Sequence, residues 1–165
     1  MELSKAQTIA KEVQEKLAPF CSRIQIAGSI RRKRPFVRDI DRDIDMVLIP
    51  SNQGAFIAAL QTLGKIKMGG AKLIRCQLPQ TMLDVYVATP DIWATLLLIR
   101  TGSAKHNIRL CSLAKQKGMK LHADGSGLFR VSLLKSEPDE RIAVDTERSI
   151  FEALGLAYKE PEERE

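Results

Sequence analysis

The sequence predicts an α+β protein of two lobes, a first at about residues 1–90 and a smaller one at about 91–165. Three observations carry this expectation. In the first part, short strand-like apolar runs outnumber helical patterns. After Pro90 the pattern changes to helix-length apolar stretches on either side of Thr101-Gly102-Ser103. Between two of the strand-like runs, residues 28–45 hold a Gly-Ser turn, six basic side chains and four alternating aspartates.

Residues 4–18 space Ala6, Ile9, Ala10, Val13 and Leu17 at helical intervals among lysines and glutamates, and Pro19 ends the pattern. This is an amphipathic helix lying on the core. Arg23 to Ala27 alternates, with Ile24 and Ile26 on one face, and stops at Gly28, which reads as a strand entering a tight turn. Residues 43–50 form a second strand, mostly apolar and therefore expected at the centre of a sheet. A helix at about 53–63 carries Phe56, Ile57, Leu60 and Leu63, and strands at 65–68, 71–78 and 82–88 follow it. Residues 91–100 are apolar nearly all round, as in a buried helix with Trp93 in the core, and a second helix runs to about 117. A hairpin around Asp124-Gly125-Ser126-Gly127 and a helix at about 146–154 come next, and Lys159 to Glu165 read as a charged tail.

The net charge of +6 is unevenly placed, with +12 over residues 1–136 and −6 over residues 137–165. Because four of the upstream acids sit at 39–45, the remaining upstream surface is more basic still, which favours a polyanionic partner. No run of 18 apolar residues occurs and the first residues lack the layout of a signal peptide, so a cytoplasmic protein with no membrane partner is expected. Cys21, Cys76 and Cys111 are odd in number and widely spaced, which supports neither a disulfide framework nor a zinc knuckle. His106 and His122 have no metal-site company.

In a strand, side chains two residues apart share a face, so Asp43 and Asp45 present two carboxylates side by side. In the run at 82–87, Leu83, Val85 and Val87 take one face and leave Asp84 on the other, where a sheet can bring it beside the pair. Three carboxylates held together repel unless a cation neutralises them, and hard divalent ions with oxygen ligands, magnesium foremost, suit the task. Two such ions support in-line displacement at phosphorus. Gly28-Ser29 at a strand end offers amides and a hydroxyl to phosphate oxygens, with Arg32 near enough to add charge-assisted bonds. Lys105, Arg109, Lys115 and Lys117, with the basic stretch at 31–34, are candidate contacts to the phosphates of a polyanionic partner.

These motifs resemble the family X DNA polymerases, the polymerase beta group of the nucleotidyltransferases. The resemblance lies in Gly28-Ser29-Ile30-Arg31-Arg32, in Asp43-Ile44-Asp45 opening a strand, in Thr101-Gly102-Ser103 with His106-Asn107, and in the ending from Phe151 to Glu165. It implies a nucleotidyltransferase palm, a mixed sheet with flanking helices, followed by a small C-terminal helical and hairpin lobe that binds nucleotide and DNA. It implies that Asp43 and Asp45 hold two Mg2+ ions, replaceable by Mn2+, and that Asp84 helps activate a primer 3′-hydroxyl. Ser29, Gly28 and Arg32 would bind the β- and γ-phosphates, helped by the backbone at Arg42. The Thr101-Gly102 turn would face the sugar, with Arg100 and Ser103 also binding the nucleotide, and Asn107 would lie at the minor-groove edge of the base.

The chain departs from the family's pattern at several positions. The Arg-Asp-Ile-Asp unit occurs twice, at 38–41 and 42–45, so spacing from Gly28 favours Asp39 and Asp41 as metal ligands while adjacency to the strand favours Asp43 and Asp45. The strand pair is preferred, because ligands must be held rigidly. Ile99 and Arg100 stand where animal members carry aromatics, Met82 stands where a basic residue often precedes the third aspartate, and Cys111 stands where an arginine touches the template. The chain begins at the first palm helix, and is expected to be closest to the minimal viral and phage-type members that lack lyase and DNA-binding domains. The expected function is a monomeric, metal-dependent DNA polymerase that adds a dNTP to a primer 3′-end in gapped DNA during repair. The alternative is a template-independent nucleotidyltransferase acting on a nucleic-acid end or a small acceptor, and a third reading is a nucleic-acid-binding module that has lost chemistry.

Overall fold

Helix α1 (Leu3–Leu17) turns Ala6, Ile9, Ala10, Val13 and Leu17 onto one buried face, as their spacing of three and four residues dictates. It opens the computed structural model, which describes residues 1–34 and 43–165 and folds as two units, Met1–Thr89 and Pro90–Glu165.

In the first unit, strands β1 (Cys21–Ile26), β2 (Ile44–Pro50), β3 (Lys65–Gly69), β4 (Leu73–Gln77) and β5 (Met82–Val87) form one mixed sheet in the order β1-β2-β5-β4-β3. Strands β2 and β5 run parallel and the other pairs antiparallel. β2 is the apolar strand expected at the centre, and it lies between β1 and β5. The short helix α2 (Gly28–Arg31) follows β1. Helix α3 (Gln53–Leu63) begins at Asn52, whose side chain accepts the Ala55 N–H at 2.9 Å. Ile44, Met46, Leu48, Leu83 and Val85 are buried with Phe56, Leu60 and the α1 stripe, which forms the core of this unit. Each such aliphatic or aromatic side chain contributes about 1.5–3 kcal/mol by leaving water.

The second unit holds α4 (Trp93–Thr101), α5 (Ala104–Gln116) and α6 (Glu147–Ala153), with a three-stranded antiparallel sheet of β6 (Met119–Leu121), β7 (Leu128–Arg130) and β8 (Glu140–Arg141). The all-round apolar stretch behaves as expected, since Trp93 to Ile99 are all buried. The expected hairpin joins β6 to β7, whereas β8 was not legible: it is two exposed residues with no alternating pattern. Helix α6 starts with a capping box in which Thr146 and Ser149 bond each other's backbone N–H.

The reading of residues 159–165 as a charged tail is corrected. Pro161–Glu163 form a 3₁₀ turn, and Arg164 is completely buried, donating to Glu147 Oε2 at 2.7 Å and to the Lys159 carbonyl at 3.0 Å. Its guanidinium lies 5.3 Å from the Phe151 ring centre and 5.6 Å from that of Tyr158. A single counter-charge 17 positions upstream turns a tail into core, which no local pattern reveals.

Candidate active site

Where β1 ends, the Ala27 N–H donates to the Asp45 carbonyl at 2.8 Å, so the Gly-Ser segment is tied to the aspartate strand. Gly28 has φ +63°, and a Cβ built on it would land on the Asp45 carboxylate. Only glycine satisfies both conditions without strain. The tight turn expected here is instead one turn of helix, α2, with Ser29 inside it and Arg32 at its C-cap; the Arg32 N–H returns to the Gly28 carbonyl at 3.2 Å. Arg42, Asp39 and Asp41 lie outside the described residues.

The sheet brings the third aspartate to the pair. Asp45 on β2 and Asp84 on β5 are direct partners in the parallel register, roughly 5 Å apart along the hydrogen-bonding direction. Asp84 is buried, while Asp43 and Asp45 are half-buried. The strand expected from residue 43 begins at Ile44, so Asp43 lies immediately ahead of β2 and not in it. Its carboxylate is instead held from the side: Arg75 on β4 donates from Nη2 to Asp43 Oδ2 at 2.9 Å and from Nε to Asp84 Oδ1 at 2.8 Å.

The electrostatics follow from this crowding. Burial, and then the adjacent Asp43 carboxyl, push the Asp84 pKa above its ordinary value, against the pull of Arg75. The bond to Asp84 and the charge of that carboxylate raise the Arg75 guanidinium in turn. Among the described residues no three carboxylate, imidazole or thiol groups converge as a ready-made metal cage, and a guanidinium lies between two of the carboxylates. The donor set still suits a hard divalent ion, because it offers oxygen ligands only and has already drawn one cation to itself. The thiols offer nothing comparable: burial pushes Cys21 up to about 11 and raises Cys76 and Cys111.

In the second unit, Thr101 and Gly102 are buried and Ser103 is half-buried, so this turn presents mainly backbone. Ser103 caps α5 by accepting the His106 N–H at 3.2 Å, and its own N–H donates to the Arg164 carbonyl at 3.3 Å. The Asn107 side-chain amide donates to the Ile99 carbonyl at 2.8 Å, which leaves Oδ1 without a hydrogen-bond partner among the described residues. Arg100 is half-buried at the end of α4.

Of the basic candidates, Lys105 and Arg109 are one turn apart on an exposed face of α5, whereas Lys115 is turned about 120° from Arg109. The Lys117 Nζ lies against Gly155, 2.7 Å from where a Cβ there would be. The structure therefore groups two of the four. His106 is buried beside Phe151, with 5.9 Å between ring centres, and neither ring nitrogen has a partner among the described residues. Burial, then the charges of Arg164, Lys159 and Arg109, lower its pKa to about 4 against a smaller opposing effect of Glu147. It is a neutral core histidine.

Sequence reasoning missed Arg75, because its role depends on strand order rather than spacing. The one available signal was Met82, an uncharged residue where a basic one often stands.

The fold and this carboxylate-bearing sheet define a polymerase beta-like α+β protein. The structure of a Leishmania infantum polymerase beta, in a ternary P/T complex, superposes over 100% of this chain and 76% of that one with a TM-score of 0.79 at 22% identity. Residues 96–165 match the DNA polymerase beta thumb family. DNA polymerase lambda of Rattus norvegicus is 32% identical over 159 residues, 84% of this chain and 28% of that protein. The DNA polymerase/3′-5′ exonuclease PolX of Bacillus subtilis is 28% identical over 165 residues, 97% of this chain and again 28% of the relative. These matches support a family X DNA polymerase, and the chain spans 28% of the length of these two curated relatives. No helix among the described residues is long and apolar enough to cross a membrane.

Proposed function

We propose that the chain carries out metal-dependent, template-directed transfer of a deoxynucleotide to a primer 3′-end, filling gaps in duplex DNA. The observation that carries this reading is the direct pairing of Asp45 with Asp84 beside Gly28, in a chain whose relatives are DNA polymerases.

Asp43, Asp45 and Asp84 would hold two Mg2+ ions, or Mn2+ in their place. Ions bound there lower the pKa of an attacking hydroxyl and stabilise the leaving oxygen. The chain's own contribution is to fix the carboxylates. Asp45 and Asp84 are anchored by adjacent ladders, and Gly28 leaves the Asp45 carboxylate the space it occupies. The Asp84 carboxylate, whose pKa is raised, is suited to taking the proton of the primer hydroxyl. Ser29, the Gly28 backbone and Arg32 would bind the outer phosphates of a dNTP, with Arg42 assisting. Arg100, Thr101, Gly102 and Ser103 are assigned to the sugar and Asn107 to the base edge. Lys105 and Arg109, exposed one turn apart, are the favoured phosphate contacts to DNA, and Lys115 and Lys117 are secondary ones.

The test is a gap-filling assay with each single deoxynucleotide, in magnesium and then in manganese. Addition of only the complementary base, lost in Asp45→Ala, is the expected result. Addition irrespective of template would identify a template-independent transferase instead, and no addition by the unsubstituted protein would remove the catalytic reading.

A further inference from the structure

Arg75 is the cation of the carboxylate cluster, and it arrives from a strand that the motifs do not mention. It is the register partner of Asp84 across β4 and β5, while its guanidinium also reaches Asp43 at the edge of β2. We propose that Arg75 is a positioning residue that holds Asp43 and Asp84 in place before a divalent ion binds and competes with that ion for the same two oxygens. The proposal rests on the metal-site reading above.

Four features support it. Asp43 stands one residue ahead of the first residue of β2, and the bond from Arg75 restrains its carboxylate. Asp84 and Asp43 are like charges at close range, and a positive group between them removes the repulsion that would drive them apart. The two bonds use different guanidinium nitrogens, so the planar fork sets the spacing of the two acceptors, which an ammonium cannot do. The Arg75 side chain is also 36% exposed, so it has a route into solvent when displaced.

Met82 provides an internal control. It lies two residues before Asp84 and therefore on the same face of β5, half-buried and uncharged. An arginine there would offer a guanidinium to the same carboxylates along the strand instead of across it.

Mn2+ binding to the full chain without nucleotide, followed by the electron paramagnetic resonance of free Mn2+, tests the competition. Arg75→Gln is expected to bind Mn2+ about tenfold tighter than the unsubstituted protein, since two charge-assisted bonds no longer oppose the ion. The metal-free variant should melt at a lower temperature and regain more stability on adding Mn2+. Arg75→Gln/Met82→Arg should return the affinity toward the original, which a purely structural role for Arg75 would not produce. Arg75→Lys keeps the charge without the fork and serves where the glutamine variant does not fold; intermediate affinity is expected. Unchanged or weaker Mn2+ binding in these variants would overturn the role of Arg75 while leaving the metal site intact. Absence of Mn2+ binding in every protein, with or without a dNTP, would overturn the metal-site reading and the role of Arg75 with it.

Discussion

Gly28 and Asp45 are 17 residues apart in sequence, yet a single methyl group added to one would strike the carboxylate of the other. Positive φ at Gly28 adds a second demand on the same residue. Gly28→Ala is therefore expected to cost about 1–2 kcal/mol in backbone strain and to displace Asp45. Displacing a reacting group by about 1 Å loses roughly a hundredfold in rate, so primer extension should fall by at least that much. Thermal melting run alongside should show a drop of only several degrees; retained activity would mean that the position of the Asp45 carboxylate does not matter to the reaction.

Asp84→Asn should separate chemistry from stability. Burial and Asp43 raise the Asp84 pKa, so its contribution to stability is largest below the ordinary carboxylate range and is lost as pH rises through the folded value. At neutral pH the charged form is a burden that asparagine does not carry. The variant is expected to melt at the same temperature as the parent or higher, while on the proposed mechanism, in which these carboxylates would hold the metal ions, single-nucleotide insertion falls by about a thousandfold or more. Parallel loss of melting temperature and activity would instead make Asp84 a folding residue.

His106 predicts a pH dependence of opposite sign. Its folded pKa of about 4 lies below the ordinary 6.5, so the neutral form is favoured in the folded chain. The stability it protects is complete above about 6.5 and declines as pH falls from there toward 4, by up to about 3 kcal/mol. The charged groups that act on it are Arg164, Lys159 and Arg109, with Glu147 opposing them. Denaturant unfolding at stepped pH should give this slope in the unsubstituted protein and a flatter one in His106→Phe.

Arg164 and Glu147 form a buried pair, with both side chains less than one-tenth exposed. Removing one partner strands a charge, so Arg164→Met or Glu147→Gln alone should cost about 3–5 kcal/mol. The double variant should recover much of that. Guanidinium chloride titration of the parent, the two single variants and the double variant measures the coupling, and an additive double variant would show that the pair does not act as a unit.

Helix α1, the apolar strand β2 and the buried helix α4 were legible because each carries its own periodicity: burial on one face, on both faces or all round imposes a repeat on the residues that form the element. The second unit's last strand, β8, and the burial of Arg164 were not, because both depend on partners far along the chain. The candidate site divides in the same way. Asp43, Asp45 and Asp84 stood out as carboxylates on strand-like runs, and the register pairs Asp45 with Asp84. Asp43 stands one residue ahead of β2, and its carboxylate accepts a bond from Arg75, a contact that no local pattern reveals.

The sequence by itself determined which residue types gather at the site, since a Gly-Ser segment and alternating aspartates are local chemistry written at short spacing. It also determined the α+β class, through the change from strand-like to helical repeats near Pro90. Only the tertiary structure decided that Arg75 neutralises the carboxylates. Strand order places β4 next to β5, and hydrogen-bond register then sets Arg75 opposite Asp84, a pairing of residues whose spacing along the chain carries no period.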